Sequence, residues 1–228
     1  MSFGRRSHLS RKYSSLQYLH LQIDWKFDPI KTYLDSTQGM IAQYEKNLEK
    51  NYKAWEVKQK ANPELPDAFD VFESEIIHGG EFSEILNQSI YLTTYSIFEK
   101  ELHNICDQCK DEENLKIGVK DLSGRNYIAQ CMKYLKLVIK INLDALNDLY
   151  QEISFYQKLR NVFAHNNGFL KSIDVNMQRF IDSQSSLTID KKSNKVNFES
   201  IDFVKDFIDK ATGFLIELGE EIQRQKNT

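Results

Sequence analysis

The chain is poor in residues that interrupt helices. Its 228 residues include only 9 glycines and 3 prolines, and long stretches carry neither, which argues against a turn-rich fold and for mostly helix. Cysteine is scarce and odd in number, with 3 in the chain. That count supplies no disulfide framework and fits a reducing compartment, so a cytoplasmic protein is expected. No apolar run is long enough for a membrane span, and none follows the basic stretch Arg5-Arg6-Ser7-His8-Leu9-Ser10-Arg11-Lys12 as a signal peptide would require. That stretch reads as a solvated tail. Excess positive charge is also missing: the net charge is −3. A protein that coats nucleic acid nonspecifically is basic, so any nucleic-acid contact here must be local. The sequence has no phosphate-cradling glycine loop, no serine or cysteine nucleophile elbow, no paired-carboxylate metal motif and no internal repeat.

What is present is a succession of amphipathic segments, long enough in total for one domain with a real core plus an extension. Up to about Phe27 the pattern is mixed, and the alternation of Leu19, Leu21, Ile23 and Trp25 with polar residues suggests a short strand. Asp28-Pro29 has the form of an N-cap followed by proline at the first helical position. A helix is expected from there to about Lys60. Its narrow apolar stripe (Ile30, Leu34, Ile41, Tyr44, Leu48, Tyr52, Trp55) packs on something without sitting mid-core. Asn62-Pro63-Glu64-Leu65-Pro66 ends it, dividing an N-terminal extension, residues 1–66, from a main domain, residues 67–228.

In the main domain a helix is expected from Asp67 to Ile77, stopped by His78-Gly79-Gly80. The next, Phe82 to Lys110, carries Ile90, Tyr91, Ile97, Phe98, Leu102 and Ile105 on one broad arc and should be central to the core. Glu99 sits at the edge of that arc, one turn after Tyr95. Asp111-Glu112-Glu113-Asn114 is a surface break. A helix from Arg125 to Ile139 follows, with Ser123 as its cap, and another starts at Asn142 or Asp144. After an irregular stretch and a short helix, Gln178 to Ser183, two alternating runs (Leu187–Asp190 and Lys195–Phe198) read as a hairpin. A last helix, capped by Ser200, runs to about Arg224 on Ile201, Val204, Phe207, Ile208, Leu215 and Leu218. The fold class is therefore all-α: an antiparallel helical bundle with a small β-hairpin before the last helix and an N-terminal helical extension.

The helix that starts near Asn142 ends in Lys158-Leu159-Arg160-Asn161-Val162-Phe163-Ala164-His165-Asn166-Asn167-Gly168, where Gly168 after two asparagines makes a helix stop. Its apolar residues are Leu146, Leu149, Ile153, Tyr156 and Phe163, and Arg160 falls on the same stripe. An unpaired buried charge costs several kcal/mol or more, so Arg160 must pair, reach a cleft or face another subunit. Asn161 and His165, four apart, share a face, whereas Arg160 and His165 point far apart around the helix. Either the helix end distorts, or two copies of the motif meet. The plainer uses are a structural ion pair for Arg160, with Glu99 or Glu152, and a helix-terminal cation for His165, which suits the dipole. His103, Cys106, Cys109 and Cys131 could be read as zinc ligands. The single Cys-x-x-Cys lacks a second pair and lies in a helical pattern, so buried small residues are the expected use, with no metal and no cofactor.

The arginine, the polar residue after it and the histidine a few positions later resemble the motif of the HEPN superfamily. So does the order of elements: an apolar helix with an acidic residue (Tyr95-Ser96-Ile97-Phe98-Glu99), a second helix, the Arg/His helix, then a closing helix after a hairpin. The resemblance covers about Phe72 to Arg224 and is nearest to bacterial HEPN domains of toxin and phage-defence systems. It implies a metal-independent endoribonuclease, catalytic Arg160, Asn161 and His165, support from Glu99 and Tyr95, and a homodimer whose two motifs line one cleft. RNA would be the substrate, and an antitoxin or defence-system protein the partner. Some toxin relatives carry a tyrosine two positions after the histidine, a target for antitoxin modification; Asn167 stands there instead. The second functional class is a non-catalytic HEPN-like module that binds RNA or a partner protein.

Overall fold

The structure, a computed structural model, describes residues 16–124 and 126–227. The basic stretch Arg5–Lys12 lies outside the described residues, as does Arg125, the expected first residue of the fourth helix. The described chain is mostly helical, with six α-helices and one two-stranded antiparallel sheet before the last of them. None of its helices is long and apolar enough to cross a membrane.

Helix α1 spans Leu19–Ala61, after a 3₁₀ turn at Leu16–Tyr18, and α2 spans Ala68–Glu112. Two expectations fail in α1. The segment expected as a strand is helical, and Pro29 lies inside the helix instead of starting it. The reason is tertiary. Leu16, Leu19, Ile23, Phe27 and Leu34 recur at helical spacing and are buried in the main core, while the alternating residues Leu21 and Trp25 are exposed. Burial of that stripe outweighs the one hydrogen bond that proline removes. Beyond Thr37, α1 has no buried residue.

A sharp turn at residues 62–67 reverses the chain. Asp67 caps α2 by accepting from the Phe69 amide at 2.8 Å. The two long helices then run antiparallel, with Tyr52 against Phe72 and the Tyr44 hydroxyl donating to the Glu75 carbonyl. The break expected at His78-Gly79-Gly80 does not occur: α2 is continuous for 45 residues. Gly79 is where α1 comes close, since a Cβ there would lie 3.1 Å from the Tyr44 ring.

Helix α3 spans Tyr127–Leu137. Its cap is Asn126, which accepts from the Ala129 amide, and not Ser123 as expected. Asn142 turns the chain by accepting from the Asp144 amide; a 3₁₀ turn at Asp144–Leu146 leads into α4, Asn147–Asn166. Helix α5, Val175–Asp182, starts three residues before the expected Gln178 because Asp174 accepts from the Met177 amide. Strands β1, Leu187–Asp190, and β2, Lys195–Phe198, pair antiparallel as a hairpin. Helix α6 spans Asp202–Lys226; Ile201 occupies its N-cap position, and Ser200, the expected cap, bonds to the Asp202 amide and carboxylate.

The core gathers on α2. This helix packs against α1, α3, α4, α6 and β2, and Tyr91, Tyr95, Phe98, Leu102 and Ile105 on it are buried. Tyr91 is ringed by Phe163, Phe198, Phe203 and Phe207, with ring centroids 5.2–6.1 Å away.

The continuity of α2 through its paired glycines makes a prediction. A methyl group added at Gly80 would meet no atom within 4 Å, and the backbone there has no positive φ. Gly80→Ala should therefore stabilise the fold by about 0.5–1 kcal/mol, raising the melting temperature by roughly 1–4 °C. Gly79→Ala, which must displace Tyr44, should gain less. A lowered melting point for Gly80→Ala would mean that the helix breaks there.

Candidate functional site

Helix α2 and helix α4 bring Tyr95, Glu99 and Arg160 together. Tyr95 and Glu99 are one turn apart on α2, and Arg160 faces both from α4. The Arg160 guanidinium lies over the Tyr95 ring at 5.8 Å. One of its terminal nitrogens is 3.9 Å from a Glu99 carboxylate oxygen; the other donates to the Asn161 side-chain oxygen at 3.1 Å. Glu152, the other partner considered for Arg160, pairs with Lys210 instead. Arg160 thus reaches a cleft and finds partners within one chain.

These contacts leave the arginine loosely held. At 3.9 Å the pair with Glu99 is at the outer limit of an ion pair, and Arg160 Nε is buried with no hydrogen-bond partner among the described residues. Burial pushes the Glu99 carboxyl above its ordinary value, and the Arg160 charge only partly offsets that. Tyr95 is raised further, by burial and then by the Glu99 charge, and its hydroxyl also lacks a partner among the described residues.

Arg160 and Asn161 form one wall of a cleft of about 670 Å³. The opposite wall is α2, through Ser96, Glu99, Lys100, His103 and Asn104. Lys120, from a 3₁₀ turn at Val119–Asp121, and the start of α3, Asn126 and Tyr127, close one end. His103 Nδ1 is 3.0 Å from the Asp107 carboxylate one turn on, and its ring stacks on Tyr127 at 5.3 Å. Lys100, Lys120 and Tyr127 did not stand out in the sequence, because three separate elements supply them and no local spacing marks them. His103 stood out only as a metal ligand.

His165 is elsewhere. It is exposed in the last turn of α4 and does not line the cleft. The helix runs undistorted past it to Asn166. The stop comes at Asn167, in the left-handed region at φ 49°, followed by Gly168 at φ 88°. The Gly168 amide donates to the Val162 carbonyl, and its own carbonyl accepts from Val196 on β2 at 3.0 Å. Around an ideal helix Arg160 and His165 therefore point about 140° apart.

The three cysteines are free and buried. A hydrogen bond with Cys131 and burial raise the Cys106 thiol well above its usual value, and burial pushes Cys109 up to about 11. Both effects oppose the thiolate that zinc needs. Among the described residues no group of three or more His, Cys, Asp or Glu side chains could hold a metal ion. Comparison of the chain with protein-family models, with curated proteins and with solved structures finds no match.

Glu99 gives the site a pH signature. Its folded pKa is raised above the unfolded value, so its contribution to stability is fully present below the unfolded pKa, near 4.5. That contribution is lost as pH rises through the folded value. Glu99→Gln removes the ionisation. Its stability relative to wild type, measured by urea unfolding, should rise between pH 4 and pH 7. A difference that falls over that interval would mean that the ion pair with Arg160 outweighs the burial.

Proposed function

We propose that the protein is a metal-independent endoribonuclease of HEPN type, cutting RNA through attack of the 2′-hydroxyl in bacterial phage defence or toxin–antitoxin function. The observation that carries this reading is the placement of Arg160: a half-buried guanidinium, incompletely neutralised, at the wall of an open polar cleft with Asn161 beside it. Such a group can hold a scissile phosphate and the charge that grows on it. Histidine, the side chain whose chemistry centres on neutral pH, suits the proton transfers that 2′-hydroxyl attack requires.

The homodimer belongs to this proposal, on narrower grounds than the sequence offered. Arg160 is accommodated within one chain, so its place on an apolar stripe no longer calls for a second subunit. What calls for one is His165, which lies outside the cleft that Arg160 lines. If both act on one phosphate, the histidine must come from another copy. That same separation favours the second reading, a non-catalytic module that binds RNA or a partner protein, in which Arg160 binds and His165 only ends its helix.

The test is incubation of purified wild type and His165→Ala with total RNA in EDTA. Wild type should cut, leaving cyclic phosphate ends, and RNA with a 2′-O-methyl group at the cut site should resist. Arg160→Ala should lose about 10²–10³ in rate, and Asn161→Ala should weaken cutting without abolishing it. Full activity in His165→Ala, or none in EDTA-treated wild type, would favour the binding module. Light scattering should show a dimer at micromolar concentration; an active monomer would remove the two-copy site.

A further inference from the structure

The cleft carries more positive charge than the motif accounts for. Lys100 on α2, Lys120 on the 3₁₀ turn and Arg160 on α4 converge there against a single lining carboxylate, Glu99, in a chain whose net charge is −3. Neither lysine makes an ion pair or hydrogen bond among the described residues, in contrast to Lys195, paired with Glu84, and Lys226, paired with Glu112 and Glu113. The N-terminus of α3 opens onto the same space through Asn126 and Tyr127, adding the positive end of its dipole. His103 Nε2 is buried in this wall without a partner among the described residues. The volume, about 670 Å³, is that of a site for a nucleotide-sized ligand and not for a lone anion. Tyr127, half-buried at the cleft and backed by the His103 ring at 5.3 Å, supplies an aromatic surface of the kind on which unpaired bases stack.

From this juxtaposition we propose that the cleft is a track for single-stranded RNA, in which Lys100 and Lys120 hold the phosphates that flank the one on Arg160. The choice of RNA as the polyanion rests on the ribonuclease reading; the track itself does not require that the strand be cut. Lys100 and Lys120 are binding residues here, and the turn at Val119–Asp121 becomes part of the substrate surface.

The test is the salt dependence of binding, with a short 2′-O-methyl oligoribonucleotide as the probe, because 2′-hydroxyl attack cannot cleave it. Each phosphate contact with a single strand contributes about 0.7 to the slope of log affinity against log salt. The Lys100→Ala/Lys120→Ala variant should therefore flatten the wild-type slope by roughly 1.4, so that raising salt fourfold costs it about 7-fold less affinity than it costs wild type. Lys191→Ala/Lys192→Ala, in the exposed hairpin turn, makes the same change in net charge away from the cleft and should leave the slope unchanged. All four lysines are exposed, so both variants should fold, which thermal melts will verify. The proposal is overturned if wild type does not bind the probe, if the two double variants have equal slopes, or if polyglutamate displaces the probe at equal charge. Binding through the cleft with no cutting of ordinary RNA would keep the track and sink the ribonuclease reading alone.

Discussion

The hydrogen bond from the Tyr91 hydroxyl to the Tyr156 carbonyl, 2.6 Å long and fully buried, fixes the register on which the cleft depends. It ties the central helix α2 to the motif helix α4. Tyr91, Tyr95 and Glu99 succeed one another at four-residue spacing, as do Tyr156 and Arg160, so locking the first pair sets Tyr95 and Glu99 opposite Arg160. Slippage by one residue would turn Arg160 about 100° away. The surrounding rings resist that: Tyr91 is packed by Phe203 and Phe207, and Tyr156 touches the same two. Burial also holds the Tyr91 phenol well above its ordinary pKa, so it stays a donor. A buried hydroxyl deprived of this acceptor would cost roughly 1–3 kcal/mol, more than a typical surface contact returns.

Three of the seven buried side-chain polar atoms without partners among the described residues lie around this fixed register; the other four, on Asn87, Glu101, Gln108 and Ser186, lie elsewhere. Arg160 Nε, the Tyr95 hydroxyl and His103 Nε2 are all buried without partners among the described residues, and all three belong to residues at the Arg160 cleft or directly beneath it. A well-packed core disfavours such atoms, each costing on the order of 1–3 kcal/mol. These three stand beside a carboxylate whose pKa burial raises and two exposed lysines without ion-pair partners among the described residues. The pair of Arg160 with Glu99, at 3.9 Å, is not the bidentate fork of the strongest carboxylate–guanidinium contacts.

Local chemistry was legible in the sequence wherever local chemistry decides. The helix start at Asp67, the hairpin with its polar turn, the arc of α2 and the stop after Asn166 follow from spacing and turn residues, and all are present. Legibility ended where a distant surface decides. Leu19 to Trp25 alternates as a strand would, but α6 packs along α1 and Gly219 makes room for Leu19, so helix wins. Gly79-Gly80 has the composition of a break, yet Tyr44 of α1 needs the missing side chain at Gly79, so the glycine marks a close approach. The same limit governs the site. Arg160 and Glu99 point to each other in the sequence because one interrupts an apolar arc and the other edges one. Lys100, Lys120 and Tyr127 meet them only once three elements have packed.

The two ends of the motif are held by different contacts, and this bears on how it could act. Arg160 is held from α2, by the Tyr95 ring and Glu99. His165 is held from the other side, by the turn that follows it. There the Gly168 carbonyl accepts from Val196, Phe169 bridges to Lys195, and Lys195 in turn pairs with Glu84 at 2.7 Å. A side chain added at Gly168 would meet the Val196 carbonyl at 3.0 Å, so hairpin and helix end are docked backbone to backbone. Unwinding the last turn to swing His165 toward Arg160 would break the Asn167–Gly168 cap and the hydrogen bond between Gly168 and Val196. Distortion of the helix end is therefore the costlier way to unite the two side chains. Two rigid copies need only bring surfaces together: the open Arg160 cleft of one and the exposed His165 of the other. A chemistry that uses both on one phosphate is in this fold an interface chemistry, controlled by whatever controls the meeting of the copies.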